Sequence, residues 1–249
     1  MAEHSGFEEI FIEGSGNRVE IWDRRNPTTE TPVIIRGLKH RKALKYCKEK
    51  GIDFYYMDTG YFGNWKHKTY HRITRNNLQY IGPIIDRPPD KLNATGIKPE
   101  PMSDGSDILL VLPSNKVMTF FNIDLDNWIR QTTKELKKYT DRKIITRLKP
   151  PRRKRIRDNS LAEALRKDIY CVVTFNSIAA VEALMSGKPA ITLGPNAAQQ
   201  LCSEKISEIE SIKRPSIDKV YSFLKHLSYQ QFTWEEMQNG FAWKTLNEE

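Results

Sequence analysis

The stretch Val172 to Pro195, VVTFNSIAAVEALMSGKPAITLGP, constrains the fold more than any other, because its parts agree with one another. An apolar run ending at Phe175 reads as a buried strand. Asn176 or Ser177 then stands where a helix N-cap belongs, and the small Ala179 and Ala180 leave the first turn uncrowded. Gly187 suits a helix C-cap, and Pro189 to Leu193 reads as the next strand, ending at Gly194-Pro195. The helix between them, about Ile178 to Ser186, is then the crossover of a parallel pair. Its first amides have no internal partners and carry the positive end of the helix dipole, so they can donate to a diphosphate. Glu182 lies within the first two turns, where a carboxylate can accept from the two hydroxyls of a ribose. A well-capped helix with Glu182 merely solvated fits the same spacing.

The same alternation of short apolar runs and helical periods recurs along the chain, which is the pattern of open α/β layers. Asp107 to Pro113 suits a strand covered on both faces, Asp126 to Tyr139 an amphipathic helix, and Lys143 to Arg147 the following strand. Leu161 to Arg166 reads as helix and Ile169 to Thr174 as strand. In the N-terminal half, Glu9 to Glu13 is a strand candidate running into Gly14-Ser15-Gly16. Pro32 to Arg36 and Asp53 to Met57 are further strands, flanking a basic helix from about His40 to Lys50 that Gly51 stops. Residues 82–106 are rich in Pro and Gly and show neither period, as a linker does. A chain of 249 residues can hold two small cores on either side of it. The fold class expected is α/β with doubly wound sheets and a domain boundary near residue 100.

Lys and Arg number 40 against 31 Asp and Glu, a formal charge of +9 that favours polyanionic or phosphorylated partners. The run Lys149 to Arg157, KPPRRKRIR, concentrates that charge directly after a predicted strand. Cys47, Cys171 and Cys202 show no pairing or metal-like spacing, which fits a reducing, cytoplasmic setting. No secretory pattern opens the chain and no apolar run approaches the roughly 20 residues of a bilayer span.

The run FNSIAAVEALMSGKPAITLGP resembles the nucleotide-binding segment in the C-terminal domain of GT-B glycosyltransferases, particularly the capsular-polysaccharide group and its phage, DNA-modifying relatives. YMDTGYFGN is similar to the acidic-glycine loop of that group's N-terminal domain, and YQQFTWEEMQNGFAW, Tyr229 to Trp243, to its closing helices. The resemblance implies two Rossmann-like domains facing a cleft, with the N-terminal one reduced, since 249 residues is short for the family. The division is then residues 1–100 for the acceptor, 101–215 for the nucleotide-sugar, and 216–249 returning to the first domain. It implies transfer of a sugar, a hexose from a UDP-sugar, to a hydroxyl. The turn matching Asn176, Ser177 and Ile178 holds the donor diphosphate, and the acid matching Glu182 holds the ribose.

Such chemistry needs a base, because a hydroxyl is a poor nucleophile until its proton is taken. Asp58 is the first candidate, placed after a strand where α/β sheets gather ligands, although an Asx-turn before Gly60 explains it equally. His67 and His71 are rivals. Their spacing of four is metal-like only on a helix, which Gly63 and Thr69 oppose, so no metal is expected and the nucleotide-sugar is a co-substrate without a further cofactor. Arg147 and Lys149 sit at a strand end and suit the growing charge of the leaving phosphate. Gly14 and Ser15 are candidates for approaching a phosphate, against the plainer reading of a tight turn.

For the acceptor, the charge and the phage-like resemblance point to a 5-hydroxymethylpyrimidine in DNA. Tyr61, Phe62 and Trp65 would stack or wedge, and Arg72, Arg75, Arg152, Arg153 and Lys154 would meet phosphates. In that case a phage-encoded chain works in its host's cytoplasm. The competing readings are transfer to a surface polysaccharide and a non-catalytic nucleic-acid-binding protein on the same fold. A dinucleotide dehydrogenase lacks its glycine fingerprint here.

Overall fold

The computed structural model of the protein describes residues 6–23, 30–64, 69–149 and 160–247. The chain forms two compact units, unit 1 from Met1–Ile97 with Leu224–Glu249 and unit 2 from Lys98–Phe223. In chain order unit 1 begins with α1 (Gly6–Gly14), β1 (Glu20–Ile21), β2 (Val33–Arg36), α2 (Arg41–Lys50), β3 (Phe54–Thr59), β4 (His71–Arg75) and α3 (Asp90–Thr95). Unit 2 follows with β5 (Asp107–Val111), α4 (Asn115–Phe120), α5 (Leu125–Tyr139), β6 (Ile144–Arg147), α6 (Leu161–Leu165), β7 (Ile169–Thr174), α7 (Ala179–Met185) and β8 (Ala190–Thr192). The boundary back to unit 1 falls within α8 (Ile217–Ser228), after which come β9 (Gln231–Phe232), α9 (Trp234–Gln238) and α10 (Phe241–Asn247).

Unit 1 carries a sheet ordered β1-β2-β3-β4-β9, in which the first three strands are parallel and the last two antiparallel to their neighbours. The segment expected as a strand at Glu9 to Glu13 is helix α1. Phe7, Ile10, Phe11 and Gly14 recur at helical spacing, and Phe11 is buried against Tyr55 and Trp243. Gly14 is demanded by close approach, since a Cβ there would lie 1.9 Å from the Met237 carbonyl oxygen of α9. The Ser15 hydroxyl donates to the Ile12 carbonyl at 2.6 Å and accepts from the Arg18 amide at 3.1 Å. Gly14 and Ser15, expected at a phosphate, thus serve helix packing and helix termination.

The polar segment that follows β3 supplies β4, whose His71, Arg72 and Thr74 are buried. The expected linker, in turn, contains α3, closed by Gly96 in the left-handed region at φ 69. From α3, Lys91 donates to Glu236 at 2.6 Å and to the Gln231 carbonyl at 3.1 Å, tying the returning C-terminal segment into unit 1. Thr233 and Glu236 form a capping box that starts α9.

Unit 2 is a parallel four-stranded sheet ordered β6-β5-β7-β8. Every residue of β7 is buried, which explains its unbroken apolar run. Ile108, Leu110, Val173, Trp128 and Leu136 belong to the core that α5 completes. The chain leaves β5 for β6 on one side and then places β7 on the other, so the strand order reverses between β5 and β7. Open α/β sheets bind ligands outside the carboxyl ends of the strands at such a reversal. Cys47, Cys171 and Cys202 are buried free thiols.

Replacing Gly14 by Ala should force α1 and α9 apart and cost about 2–3 kcal/mol in urea unfolding. An unchanged unfolding midpoint would contradict this close contact.

Candidate functional site

At the strand reversal of unit 2, β5 and β7 are joined beyond their ladder by the Thr174 hydroxyl, which donates to the Val111 carbonyl at 3.1 Å. Phe175 then turns inward against Phe121 and Trp128, and it lies so close to Gly194 that a Cβ there would be 2.5 Å from its ring. The next two residues are locked by a pair of asparagines working in opposite directions. Asn176 Nδ2 donates to the Pro195 carbonyl, and Asn196 Nδ2 donates to the Ser177 carbonyl at 2.9 Å. Asn196 also accepts from the Ala198 amide at 3.0 Å, so the turns after β7 and β8 hold each other. Asn196 was not singled out from sequence, although its place right after Gly194-Pro195 marks it as a turn residue.

Of the two residues expected to cap the helix, Ser177 does so, while α7 itself begins at Ala179 and Ile178 before it already has helical backbone angles. The Ser177 hydroxyl accepts from the Ala179 amide at 3.2 Å, which removes one of the amides that a phosphate would use. Anion binding here therefore depends on side chains more than on the helix terminus.

Those side chains are Arg147 and Lys149, at and just beyond the end of β6, with Glu182 on α7 facing them. Burial pushes the Glu182 carboxyl up to about 7, against the pull of Lys149 and, more weakly, Arg147. Burial also lowers Arg147, and Glu182 counteracts it. A groove of about 340 Å3 runs beside β6, with Leu109, Ile145, Arg147, Leu148 and Ser160 among its lining residues. Unit 2 has a larger hollow, about 520 Å3, at the opposite ends of β5 and β6. There Arg142 is closed by Glu210 at 3.0 Å and stacked 3.7 Å from the Tyr170 ring centre, so its charge is already answered. The carboxyl ends of the strands are the better ligand edge.

In unit 1 the expected catalytic and acceptor residues are largely bound to one another. Asp58 lies inside β3 and not after it, because the strand runs on to Thr59. Its carboxylate accepts from the Tyr56 hydroxyl at 2.8 Å, the Arg72 guanidinium at 3.1 Å and the Thr59 amide at 2.7 Å. Arg72 is buried and donates besides to the carbonyls of Thr59 at 2.6 Å and Leu78 at 3.4 Å. Tyr61 is buried, with its hydroxyl accepting from the Tyr80 amide at 2.9 Å, and Phe62 is buried too. Arg75 is bound to Asp53. These residues hold the β3–β4 pair and its loop together, and a buried Tyr61 and Arg72 cannot reach a DNA strand. His71 is buried in β4, its ring 4.1 Å from that of Phe7 and its Nε2 3.5 Å from the Arg36 guanidinium. Trp65, His67, Arg152, Arg153 and Lys154 lie outside the described residues. Among the described residues no group of His, Cys, Asp and Glu is arranged to hold a metal ion, and no helix is long and apolar enough to cross a membrane.

No protein-family model matches the chain, and no curated protein does. Among solved structures it is similar to Thermosulfurimonas dismutans KpsC, a beta Kdo 2,4 transferase. The two are 15% identical over 83% of this chain and 82% of that one, at a TM-score of 0.45. At that distance no residue roles carry over, and the site stands on its own geometry.

Because the Glu182 carboxyl stands above its ordinary value, its ionisation opposes folding. The cost is absent below about pH 4.5, grows as pH rises, and is complete above about 7. Glu182→Gln should therefore match the wild type in stability near pH 4.5 and exceed it at pH 8, by at most about 3 kcal/mol. Denaturant unfolding at the two pH values checks this. A variant less stable at pH 8 would show that the two cations outweigh burial.

Proposed function

We propose that the protein is a nucleotide-sugar-dependent glycosyltransferase of GT-B type, with unit 2 holding the donor and unit 1 activating the acceptor hydroxyl. The observation that carries this reading is that Glu182 lies within electrostatic reach of Lys149 and Arg147 at the carboxyl edge of a parallel sheet, beside its strand reversal. A half-buried acid near two cations suits a ligand with hydroxyls at one end and phosphate at the other. A ribonucleotide is such a ligand. Arg147 and Lys149 neutralise the charge that grows on the leaving phosphate as the bond to the sugar breaks, and Glu182 accepts from the ribose hydroxyls. Asn176 and Ser177 fix the turn against which the phosphates lie. These cations supply charge stabilisation without a metal.

For the acceptor, a carbohydrate hydroxyl is favoured over a modified DNA base. The DNA reading drew on Tyr61 and Arg72, which are buried in contacts inside unit 1, on Arg75, which is ion-paired with Asp53, and on Arg152, Arg153 and Lys154, which lie outside the described residues. A saccharide needs hydrogen-bonding groups and no phosphate-tracking stripe.

Calorimetric titration with UDP, GDP, dTDP and CMP should find one nucleotide that binds, and Arg147→Ala and Lys149→Ala should each weaken it about tenfold or more. Its 2′,3′-dideoxy analogue should bind more weakly at pH 8, with the gap narrowing as pH falls below about 7 and Glu182 takes up its proton. Absence of binding by every nucleotide, or variants that bind like the wild type, would remove the basis of this reading.

A further inference from the structure

The hollow at the amino ends of β5 and β6 belongs to unit 2 alone and plays no part in the nucleotide site. Its floor is held by Arg142, which follows α5. The guanidinium donates to both Glu210 oxygens, at 3.0 and 3.1 Å, and to the Gly105 carbonyl at 3.2 Å. It also lies 3.7 Å from the Tyr170 ring centre, and the Tyr170 hydroxyl donates to the Ile209 carbonyl at 3.0 Å. Thr140 donates to the same Glu210 carboxylate. Gly105 comes so near the next strand that a Cβ there would lie 2.3 Å from the Ile169 carbonyl. Stretches of chain around residues 105, 141, 170 and 210 are thereby pinned to one another, and the shape of the hollow is set before any ligand arrives.

The rest of its lining is uncommitted. The side chains of Asp107, Asp141 and Lys143 make no hydrogen bond or ion pair among the described residues. Tyr139 adds a ring that is 44% exposed. An anion gains little here, because Glu210 meets the Arg142 charge and the lining holds three carboxylates against two cations. A neutral ligand rich in hydroxyls is better matched. Carboxylates accept from its hydroxyls, Lys143 donates to its oxygens, and the Tyr139 ring covers the C–H face of a pyranose. The volume, about 520 Å3, is that of a small-ligand site.

We propose that this hollow is a second binding site, for a neutral oligosaccharide, separate from the carboxyl edge of the same sheet. β5 alone, at 5 residues, sets the two edges about 16 Å apart. A single sugar ring is too short to touch both, so the hollow serves a chain of several sugars by gripping it away from the nucleotide edge. A second grip raises the local concentration of a polymer without any contact at a reacting bond. Saccharide binding here stands whether or not the protein is a transferase; only its use in retaining an acceptor rests on that reading.

The test is calorimetric titration with maltohexaose, chitohexaose and mannohexaose, and with hexagalacturonate as the acidic counterpart. At least one neutral hexamer should bind with a Kd of about 1 mM or below, and should slow amide exchange at residues 139–143 and 208–210. Tyr139→Ala and Asp141→Ala, both at exposed positions, should each weaken that binding about tenfold or more. Arg147→Ala, at the other edge, should bind the hexamer within about twofold of wild type. Failure of every neutral hexamer to bind, or binding that neither Tyr139→Ala nor Asp141→Ala weakens, would overturn the proposal. Tighter binding of hexagalacturonate, lost steeply in salt, would overturn it as well by giving the hollow an anionic ligand. A protein that binds a neutral hexamer but no nucleotide would uphold this site and remove the transferase reading.

Discussion

A parallel strand buried on both faces has nowhere to keep polar chemistry except at its ends, and unit 2 is organised by that constraint. β7 is buried at every position and β5 at all but its first residue, so their side chains are largely withdrawn from any ligand. Whatever the unit recognises is met by residues beyond the strand ends. The reversal of strand order then selects one pair of ends, β5 and β7, by parting the connections that leave them. The bond from Thr174 to Val111 and the inward turn of Phe175 hold that edge in shape. The crossed contacts of Asn176 and Asn196 keep the turns in register.

Acid and base pairs in this protein divide by whether they are closed. Asp58 with Arg72 is closed, since donors from Tyr56, Thr59 and Arg72 meet the carboxylate, and Arg72 spends its other nitrogens on carbonyls. Arg142 with Glu210 is closed in the same sense. Such pairs hold chain segments together. Glu182 differs, because it is raised by burial and makes no short ion pair among the described residues. Keeping an acid in that condition has a cost in stability, and binding is a reason for a fold to carry it.

Much of unit 2 was legible in the sequence because its central strands, β5 and β7, are short, largely apolar runs. The predicted spans at Asp107, Lys143, Ile169 and Pro189 fall on β5, β6, β7 and β8 within a residue or two. Unit 1 was less so. Ile10, Phe11 and Ile12 carry strand propensity, but the burial of Phe11 and the glycine that lets α1 touch α9 decide for a helix, and that partner lies over 200 residues away. β4 was hidden because a buried strand with His71, Arg72 and Thr74 is stable only when partners elsewhere satisfy it. The loop after β3 depends likewise on Gln231, whose side chain accepts from the amides of Tyr61 and Phe62. Of the candidate site, the placement of Arg147 at a strand end, with Lys149 just beyond, and of Glu182 on the helix after β7 could be read from the sequence. The asparagine lock could not, since it is a fact of distance between two separate turns.

The central claim is that a nucleotide lies at the carboxyl edge of the unit 2 sheet. Amide hydrogen exchange with and without saturating nucleotide diphosphate tests it most directly. The account predicts slowed exchange at residues 146–149 and 175–182, with residues 139–143 and 208–210 at the opposite edge unchanged. Protection confined to that opposite edge, around Arg142 and Glu210, would contradict it.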